Sequence, residues 1–375
     1  MIKIGVNHSG YPVQRNIMSL QHRDVVFKKC YDLFKVPEYL IFRASNRSVQ
    51  LLLNSFCDFG ANRSVDLYHF FNVVSLSAKP WISTFETIVP RLGIKNSAIT
   101  DFYVKRLAND SCKSLIAISD CTAQIQMSYI EKAFPKYADK IRHKLTRIYP
   151  PQRVQDLATP KDRDRDELRF ILVGHQFFGK GGWEVLQVFD NLFPAHQNLR
   201  LTIVSSLETD NYASVTGIAD QNRALALIAK WPERITHFKR LPNREVLQLF
   251  ASSDVALLPT YAETFGYSVL EAQSFGVPVI TTDIRALPEI NNNEVGWIIE
   301  VPKDEYGYGI LGSTAQRSAF SQSIVAGLKT IVLNILSGAG KAREKGQKAR
   351  ARIIQHHSPD TIASLVREHY QKALS

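Results

Sequence analysis

Cysteine and long apolar runs are scarce in this chain of 375 residues. None of the four cysteines lies in a Cys-x-x-Cys spacing, so neither a zinc ribbon nor a thioredoxin-like redox site is expected. The first residues lack an apolar core of signal-peptide length, and no stretch approaches the ~20 apolar residues of a membrane span. These absences predict a cytoplasmic protein with reduced thiols.

Signatures of several binding classes are missing as well. Neither half opens with Gly-x-Gly-x-x-Gly after a strand, which argues against a dehydrogenase, and the Walker order of glycines and lysine is absent. The basic residues are not interleaved with stacking aromatics, so no nucleic-acid partner is expected despite a net charge of +11. The Asp-x-Asp strings, at Asp162, Asp164 and Asp166, lie in a charged run rather than at a strand end, so no metal is expected.

Positive charge is concentrated in the first half of the chain. Residues 1–165 contain 25 Lys and Arg against 14 Asp and Glu, whereas residues 166–375 contain 21 of each. Such an excess is either an ordinary solvated surface or an attraction for phosphate and anionic lipid, and both interpretations stay open. No long amphipathic apolar face accompanies it, so any membrane association is expected to be weak and salt-sensitive. The dense basic positions are Lys28, Lys29, Lys35, Lys132, Lys136, Lys140, Arg142, Lys144 and Arg147.

Short apolar runs alternate with segments of helical spacing, which predicts parallel sheets covered by helices. The first half has predicted strands at Lys3–Val6, Tyr39–Phe42, Leu67–Phe71, Trp81–Phe85 and Leu115–Ile118, and predicted helices at Val25–Leu33 and Thr122–Phe134. After the charged run the second half has predicted strands at Leu168–Val173, Leu199–Ser205, Val255–Leu258 and Pro278–Thr281, and predicted helices at Gly182–Leu192, Arg244–Ala251 and Tyr267–Phe275. A last helix, at about Pro359–Leu374, has one apolar face. The chain is therefore predicted to be α/β, with two similar halves and a cleft between them.

The segment 254–281 carries the strongest functional signal. A strand is followed by a loop containing Glu263, and a helix begins after Gly266. The amides of Phe265, Gly266 and Tyr267 at that helix N-terminus suit a phosphate group. Glu271, one turn into the helix, would be repelled by the phosphate, so it is predicted to accept hydrogen bonds from ribose hydroxyls. Glu263 is predicted to reach another part of the same ligand.

The pattern from Glu263 to Glu271, ETFGYSVLE followed by AQSFGVPVI, resembles the retaining nucleotide-sugar glycosyltransferases of family 4. The resemblance covers the second half of the chain, and the first half is similar in layout. It implies the GT-B fold: a Rossmann-like acceptor domain at 1–160, a Rossmann-like donor domain at 161–355, and a C-terminal helix at 356–375 that returns to the first domain. It also implies hexosyl transfer from a nucleoside diphosphate sugar with retention, without a cofactor or metal.

A second segment, FILVGHQFFGKGGWE at 170–184, agrees with this resemblance. Lys180 in a glycine-rich turn between strand and helix is a natural ligand for a diphosphate, with Gly174 and Gly181 beside it. The family usually has an arginine where this chain has His175. The resemblance also implies that the nucleotide base is held near Arg240 and Leu241.

The resemblance implies catalytic roles for three residues. Glu263 would orient the transferred sugar, Lys180 would stabilise the leaving diphosphate, and Glu86 stands where the family usually has a histidine near that sugar. The implied acceptor is a glycan or lipid-linked molecule, in cell-envelope or extracellular polysaccharide or glycolipid synthesis at the inner face of the membrane. Because His175 and Glu86 depart from the family pattern, a catalytically degenerate protein that binds sugars or nucleotides stays open as an alternative.

Overall fold

The chain divides into two compact units in the computed structural model, which describes residues 1–7, 10–94, 97–155, 166–338 and 340–375. One unit comprises Met1–Pro151 with His357–Ser375, and the other comprises Gln152–His356. The predicted boundary at residues 160 and 161 lies outside the described residues, as do Asp162 and Asp164.

The first unit is built on a six-stranded parallel sheet with the order β2-β1-β4-β6-β7-β8, beside a small pair formed by β3 and β5. Its strands are β1 (Ile2–Val6), β2 (Val25–Lys29), β3 (Ser55–Phe56), β4 (Leu67–Phe71), β5 (Val74–Ser75), β6 (Trp81–Phe85), β7 (Cys112–Ala117) and β8 (Leu145–Arg147). Its helices are α1 (Tyr11–Val13), α2 (Lys35–Ser45), α3 (Gln50–Leu53), α4 (Ser97–Ala108), α5 (Asp120–Ala133) and α6 (Ala138–Arg142). Strands β4 and β6 are buried along their whole length, as central strands of a parallel sheet are.

Two predictions for the first unit were wrong. Val25–Leu33 was predicted as a helix, but Val25–Lys29 is an edge strand that pairs in parallel with β1. Tyr39–Phe42 was predicted as a strand, but it lies inside helix α2. Short apolar runs do not by themselves distinguish a strand from a helix. Pro37 in the first turn of α2 favours the helix, because its fixed φ suits a helix start.

The second unit contains another six-stranded parallel sheet, with the order β11-β10-β9-β12-β13-β14. Its strands are β9 (Leu168–Val173), β10 (Leu199–Val204), β11 (Ile235–Phe238), β12 (Val255–Leu258), β13 (Val279–Thr282) and β14 (Trp297–Ile299). Its helices are α7 (Gly182–Leu192), α8 (Ile218–Lys230), α9 (Asn243–Ala251), α10 (Tyr267–Ser274), α11 (Leu287–Ile290), α12 (Thr314–Leu336) and α13 (Gly340–His357). Here every predicted strand and helix is confirmed, with small shifts at the ends.

No segment was expected to approach the length of an apolar membrane span, but helix α12 does. Within the described residues it is the one helix whose length of 23 residues and hydropathy would suffice to cross a membrane. Its buried side chains recur every three or four positions, at Phe320, Ile324, Leu328, Val332 and Ile335, and the helix lies against α7 and β14. A buried stripe of this kind is typical of a helix packed on a sheet.

The last helix, α14 (Pro359–Leu374), belongs to the first unit, as predicted. The hydroxyl of Tyr370 is 2.7 Å from Nδ1 of the fully buried His69 on β4. Nε2 of His69 is 2.8 Å from the hydroxyl of Thr84 on β6. On the surface, the Arg367 guanidinium donates to both carboxylate oxygens of Asp24. The helix is thus attached to the first sheet through its core and its edge.

Candidate active site

The carboxyl ends of all six strands of the second sheet lie at one edge, because the strands are parallel. Ligands of open α/β sheets bind at this edge. Two of its loops, which follow β9 and β12, are joined to each other. The backbone amide of Tyr261 donates to the carbonyl of Gly179 over 2.9 Å, and the hydroxyl of Thr260 donates to the same carbonyl over 3.0 Å. The two segments with the strongest sequence signals therefore form one structural element.

Lys180 and Glu263 meet across this junction. Nζ of Lys180 lies 2.6 Å from Oε2 of Glu263, and the two side chains are only 18% and 16% exposed. The other carboxylate oxygen of Glu263 accepts the backbone amide of Thr264 at 2.9 Å. The ammonium and the carboxylate therefore hold each other in position at the sheet edge.

Two glycines allow the backbone to follow this path. Gly181 has φ +74°, and a Cβ there would lie 2.1 Å from the carbonyl oxygen of Pro259. Gly266 has φ +100°, and a Cβ there would lie 2.7 Å from Cδ2 of Leu287. Since other residues rarely adopt positive φ, both positions require glycine. The close contact at Gly181 is what brings the Lys180 loop against the end of β12.

The predicted phosphate-binding amides lie at the start of α10. Gly266 is the N-cap of this eight-residue helix and Tyr267 is its first residue, while the Phe265 ring is fully buried beneath them. Glu271 lies on the same helix and is only 9% exposed. Most of this residue is therefore enclosed by its own unit.

The other predicted donor-binding residues lie at the ends of neighbouring strands. Gly174 follows β9, where a Cβ would lie 3.0 Å from Cγ of Lys180. The exposed His175 follows it, and the hydroxyls of Ser205 and Ser206, after β10, each donate to its carbonyl over 3.3 Å. After β11, Arg240 is exposed and Leu241 is half-buried.

Glu86 belongs to the first unit, at the carboxyl end of β6. Its carboxylate accepts a hydrogen bond from the side-chain nitrogen Nδ2 of Asn72 over 3.2 Å. The backbone amide of Glu86 donates to the side-chain oxygen Oδ1 of Asn72 over 3.1 Å. Arg91 lies 3.9 Å from the same carboxylate. Glu86 is therefore positioned by residues of its own unit, whereas Lys180 and Glu263 position each other.

Sequence analysis missed one buried carboxylate close to this site. Glu184 on α7 is 3% exposed, and its Oε1 accepts hydrogen bonds of 2.6 Å from the hydroxyls of Tyr261 and Ser321. Burial raises the pKa of Glu184 above its usual range. It lines a cavity of about 340 Å³ between α7 and α12. The sequence did contain a signal for this residue, because Glu184 is an acidic residue on the apolar face of a predicted helix. By holding Tyr261, it supports the loop that carries Glu263.

Metal ligands do not cluster in the part of the chain that the structure describes: no group of three or more His, Cys, Asp or Glu side chains there could hold an ion.

Comparison with known families finds a match in the second unit. Residues 155–307 match the family model described as Glycosyl transferases group 1. This part of the chain is therefore similar to a glycosyl transferases group 1 domain. The match contains Lys180, Glu263 and Glu271, so the site described above lies inside the matched region.

Curated relatives agree with the family match. A glycogen synthase of Mycobacterium tuberculosis is 26% identical over 204 residues, which is 54% of this chain and 42% of that protein. The capsular polysaccharide biosynthesis glycosyltransferase CapM of Staphylococcus aureus is 30% identical over 131 residues, covering 34% of this chain and 31% of that one. The matched regions thus span less than half the length of these relatives.

Solved structures extend the likeness to both units. A glycosyltransferase from Rickettsia africae aligns with a TM-score of 0.62 at 18% identity, over 100% of this chain and 90% of that one. Anabaena Alr3699/HepE, in complex with UDP and glucose, aligns with a TM-score of 0.59 at 15% identity, over 99% of each chain. These similarities confirm the predicted GT-B fold, with two Rossmann-like α/β domains.

Proposed function

We propose that this glycosyltransferase is a retaining hexosyltransferase, which moves a sugar from a nucleoside diphosphate sugar to an acceptor hydroxyl. The observation that carries the proposal is the contact between Lys180 and Glu263 at the sheet edge, beside the N-terminus of α10. The bond between the anomeric carbon and the diphosphate oxygen breaks, and a bond from that carbon to the acceptor oxygen forms. The acceptor hydroxyl gives its proton to the departing diphosphate oxygen, and the nucleoside diphosphate leaves.

Lys180 acts on the leaving group in this proposal. Negative charge develops on the diphosphate as the bond breaks, and a fixed ammonium stabilises it without reorganisation. The amides around Gly266 and the positive end of the α10 dipole add to this stabilisation. Gly174 and Gly181 let the backbone approach the phosphates, and no metal is needed for the step.

Glu263 acts on the sugar. Its carboxylate accepts hydrogen bonds from sugar hydroxyls and keeps Lys180 in place when the site is empty.

The remaining donor contacts are made by other residues. Glu271 accepts hydrogen bonds from the ribose, and the backbone near Arg240 and Leu241 holds the base. The exposed His175 contacts the diphosphate, and Glu86 accepts a hydrogen bond from a sugar hydroxyl in this proposal. The Anabaena protein solved with UDP and glucose makes UDP-glucose a suitable first donor to test.

A glycan or lipid-linked acceptor in envelope or extracellular polysaccharide synthesis fits this proposal. CapM is a glycosyltransferase of capsular polysaccharide biosynthesis by its name, and the positive charge of residues 1–165 suits the anionic inner face of a membrane. The proposed location is therefore the cytoplasm, at that face.

One observation favours a catalytically degenerate binding protein as the second candidate. The exposed His175 stands where the family usually has a second cation for the diphosphate. A protein of this kind would bind the nucleotide without turnover.

A thermal-shift panel with UDP, GDP, ADP, CDP and TDP tests both candidates. A ligand present at ~100 times its Kd stabilises the folded chain by about 2.7 kcal/mol. The wild type should respond to one nucleotide and Lys180→Met should respond to it much less, while Lys329→Met, which removes an exposed lysine of α12, should respond as the wild type does. Binding without sugar transfer from the matching donor would favour the second candidate. No response to any nucleotide would contradict the proposed site.

A further inference from the structure

Helix α2 packs little against the rest of its unit. None of its eleven residues is buried, although five are large and apolar. Their exposures are 54% for Val36, 55% for Tyr39, 59% for Leu40, 38% for Ile41 and 46% for Phe42. Because an isolated helix of this length is marginal in water and helices gain most of their stability by packing, this surface is suited to a partner outside the unit.

An exposed aromatic side chain at a neighbouring turn extends this surface. Phe59 is 90% exposed and has φ +44°, a conformation that is strained for a bulky residue. Hydrogen bonds connect this turn to the segment leading into α2: the amide of Tyr31 donates to the Asn62 side chain over 2.9 Å, and the amide of Leu33 donates to the carbonyl of Cys57 over 2.8 Å. The strained turn therefore exposes Phe59 to solvent next to the residues that precede α2.

Positive charge surrounds the apolar residues. Residues 28–47 contain five lysines and arginines, at Lys28, Lys29, Lys35, Arg43 and Arg47, and two acids. Both acids already accept hydrogen bonds, Asp32 from the amide of Phe34 over 3.2 Å and Glu38 from the hydroxyl of Ser48 over 3.4 Å. Apolar and aromatic side chains beside lysine and arginine are the composition of helices that lie in the interface of an anionic membrane.

Several cations of the basic segment at 132–147, in contrast, are paired or hydrogen-bonded within the first unit. Lys136 pairs with Asp101 at 2.8 Å, and Arg147 pairs with Asp120 at 3.3 Å. Nζ of Lys144 donates to the carbonyl of Asn109 over 2.6 Å. No large hydrophobic residue of this segment is strongly exposed. It therefore lacks the apolar anchor that α2 has.

We propose that α2, residues 35–45, and the side chain of Phe59 insert into the surface of an anionic lipid bilayer. The apolar side chains enter the headgroup region, and the surrounding lysines and arginines contact lipid phosphates. The membrane is favoured over a second copy of this chain, because two such positively charged surfaces would repel each other. This inference rests on the proposed location at an anionic membrane face and names the residues that contact the lipid there.

Co-sedimentation of the full chain with vesicles tests the proposal. Vesicles of phosphatidylcholine with phosphatidylglycerol should bind the wild type, vesicles of phosphatidylcholine alone should bind it much less, and salt should weaken binding. Leu40→Ser and Phe59→Ser should each reduce the vesicle affinity several-fold, and together about ten-fold or more. Ile218→Ser, at a 65% exposed isoleucine of the second unit, is the matched control and should bind as the wild type does.

Three outcomes would overturn the proposal. Unchanged binding of the double variant, with loss on charge reversal at Lys136 and Lys140, would return the contact to the basic segment. Absence of binding to the anionic vesicles would remove the membrane as the partner. A dimer of the wild type that the double variant dissociates would identify a second copy instead. The nucleotide thermal shift of the double variant should equal that of the wild type, so failure here is distinguishable from failure of the donor site.

Discussion

Lys180 and Glu263 are 83 positions apart in the chain, yet Nζ of one lies 2.6 Å from Oε2 of the other. The contact joins the loop after β9 to the loop after β12, and both loops lie in the region that matches the glycosyl transferases group 1 family. A cation and an anion that partly neutralise each other make opposite contributions to the binding of a diphosphate. Their substitutions should therefore have opposite effects on nucleotide affinity.

Lys180→Met should weaken binding of the cognate nucleoside diphosphate roughly 10- to 100-fold, since a hydrogen bond to a charged group contributes about 1.5–3 kcal/mol. Glu263→Gln should bind the same nucleotide at least as tightly as the wild type, because it removes a negative charge beside the phosphates, while its sugar-transfer rate falls. Isothermal titration calorimetry and a donor-turnover assay measure the two effects. Weaker nucleotide binding by Glu263→Gln would contradict its sugar-facing role.

Gly181→Ala should destabilise the second unit by more than about 1 kcal/mol, because the new Cβ would combine a positive φ with a close contact. That Cβ would lie 2.1 Å from the Pro259 carbonyl oxygen. Gly338→Ala is the matched control, since its nearest neighbour would lie 3.8 Å away. Urea unfolding compares the two variants. Equal stability of both would show that the junction between the loops relaxes easily.

Glu184 should make stability decrease as pH rises. Burial raises the pKa of its carboxyl in the folded chain, so the folded chain holds the proton more tightly than the unfolded chain does. The stabilisation is complete below the usual glutamate pKa and is lost as pH rises through the raised value. The unfolding free energy of Glu184→Gln, relative to the wild type, should therefore increase with pH. Glu233→Gln, at an exposed position, is the control, and a flat difference for Glu184→Gln would contradict the prediction.

His69 should have the opposite effect in the first unit. Burial, followed by the charges of His369 and His22, lowers the pKa of His69 to about 3. As pH falls below about 6.5, the usual histidine pKa, His69 becomes protonated in the unfolded chain but not in the folded chain. The unfolding free energy therefore decreases by at most about 1.4 kcal/mol for each pH unit between those two pKa values. His69→Gln should reduce this loss in denaturation measured at several pH values. His143→Gln, an exposed histidine, tests whether removing any histidine has the same effect.

Much of the second unit was predictable because its signals are local. The strands Leu168–Val173 and Val255–Leu258 and the helix Gly182–Leu192 were predicted with the bounds that the structure has. Gly266 was predicted to precede a helix, and its φ of +100° explains why a glycine occurs there. In the first unit, short apolar runs fitted a strand and a helix equally well, and so Val25–Leu33 and Tyr39–Phe42 were misassigned.

The sequence by itself determined the alternation of strands and helices in the second unit, and which residue types stand at the ends of its strands. Periodicity, glycine turns and the Glu-x7-Glu spacing depend only on neighbours along the chain. Only the tertiary structure decided that Lys180 contacts Glu263, and that Tyr261 and Ser321 both donate hydrogen bonds to Glu184. It also decided that no residue of α2 is buried. These relationships join segments far apart in sequence, or depend on what packs against a surface, and no local pattern contains that information.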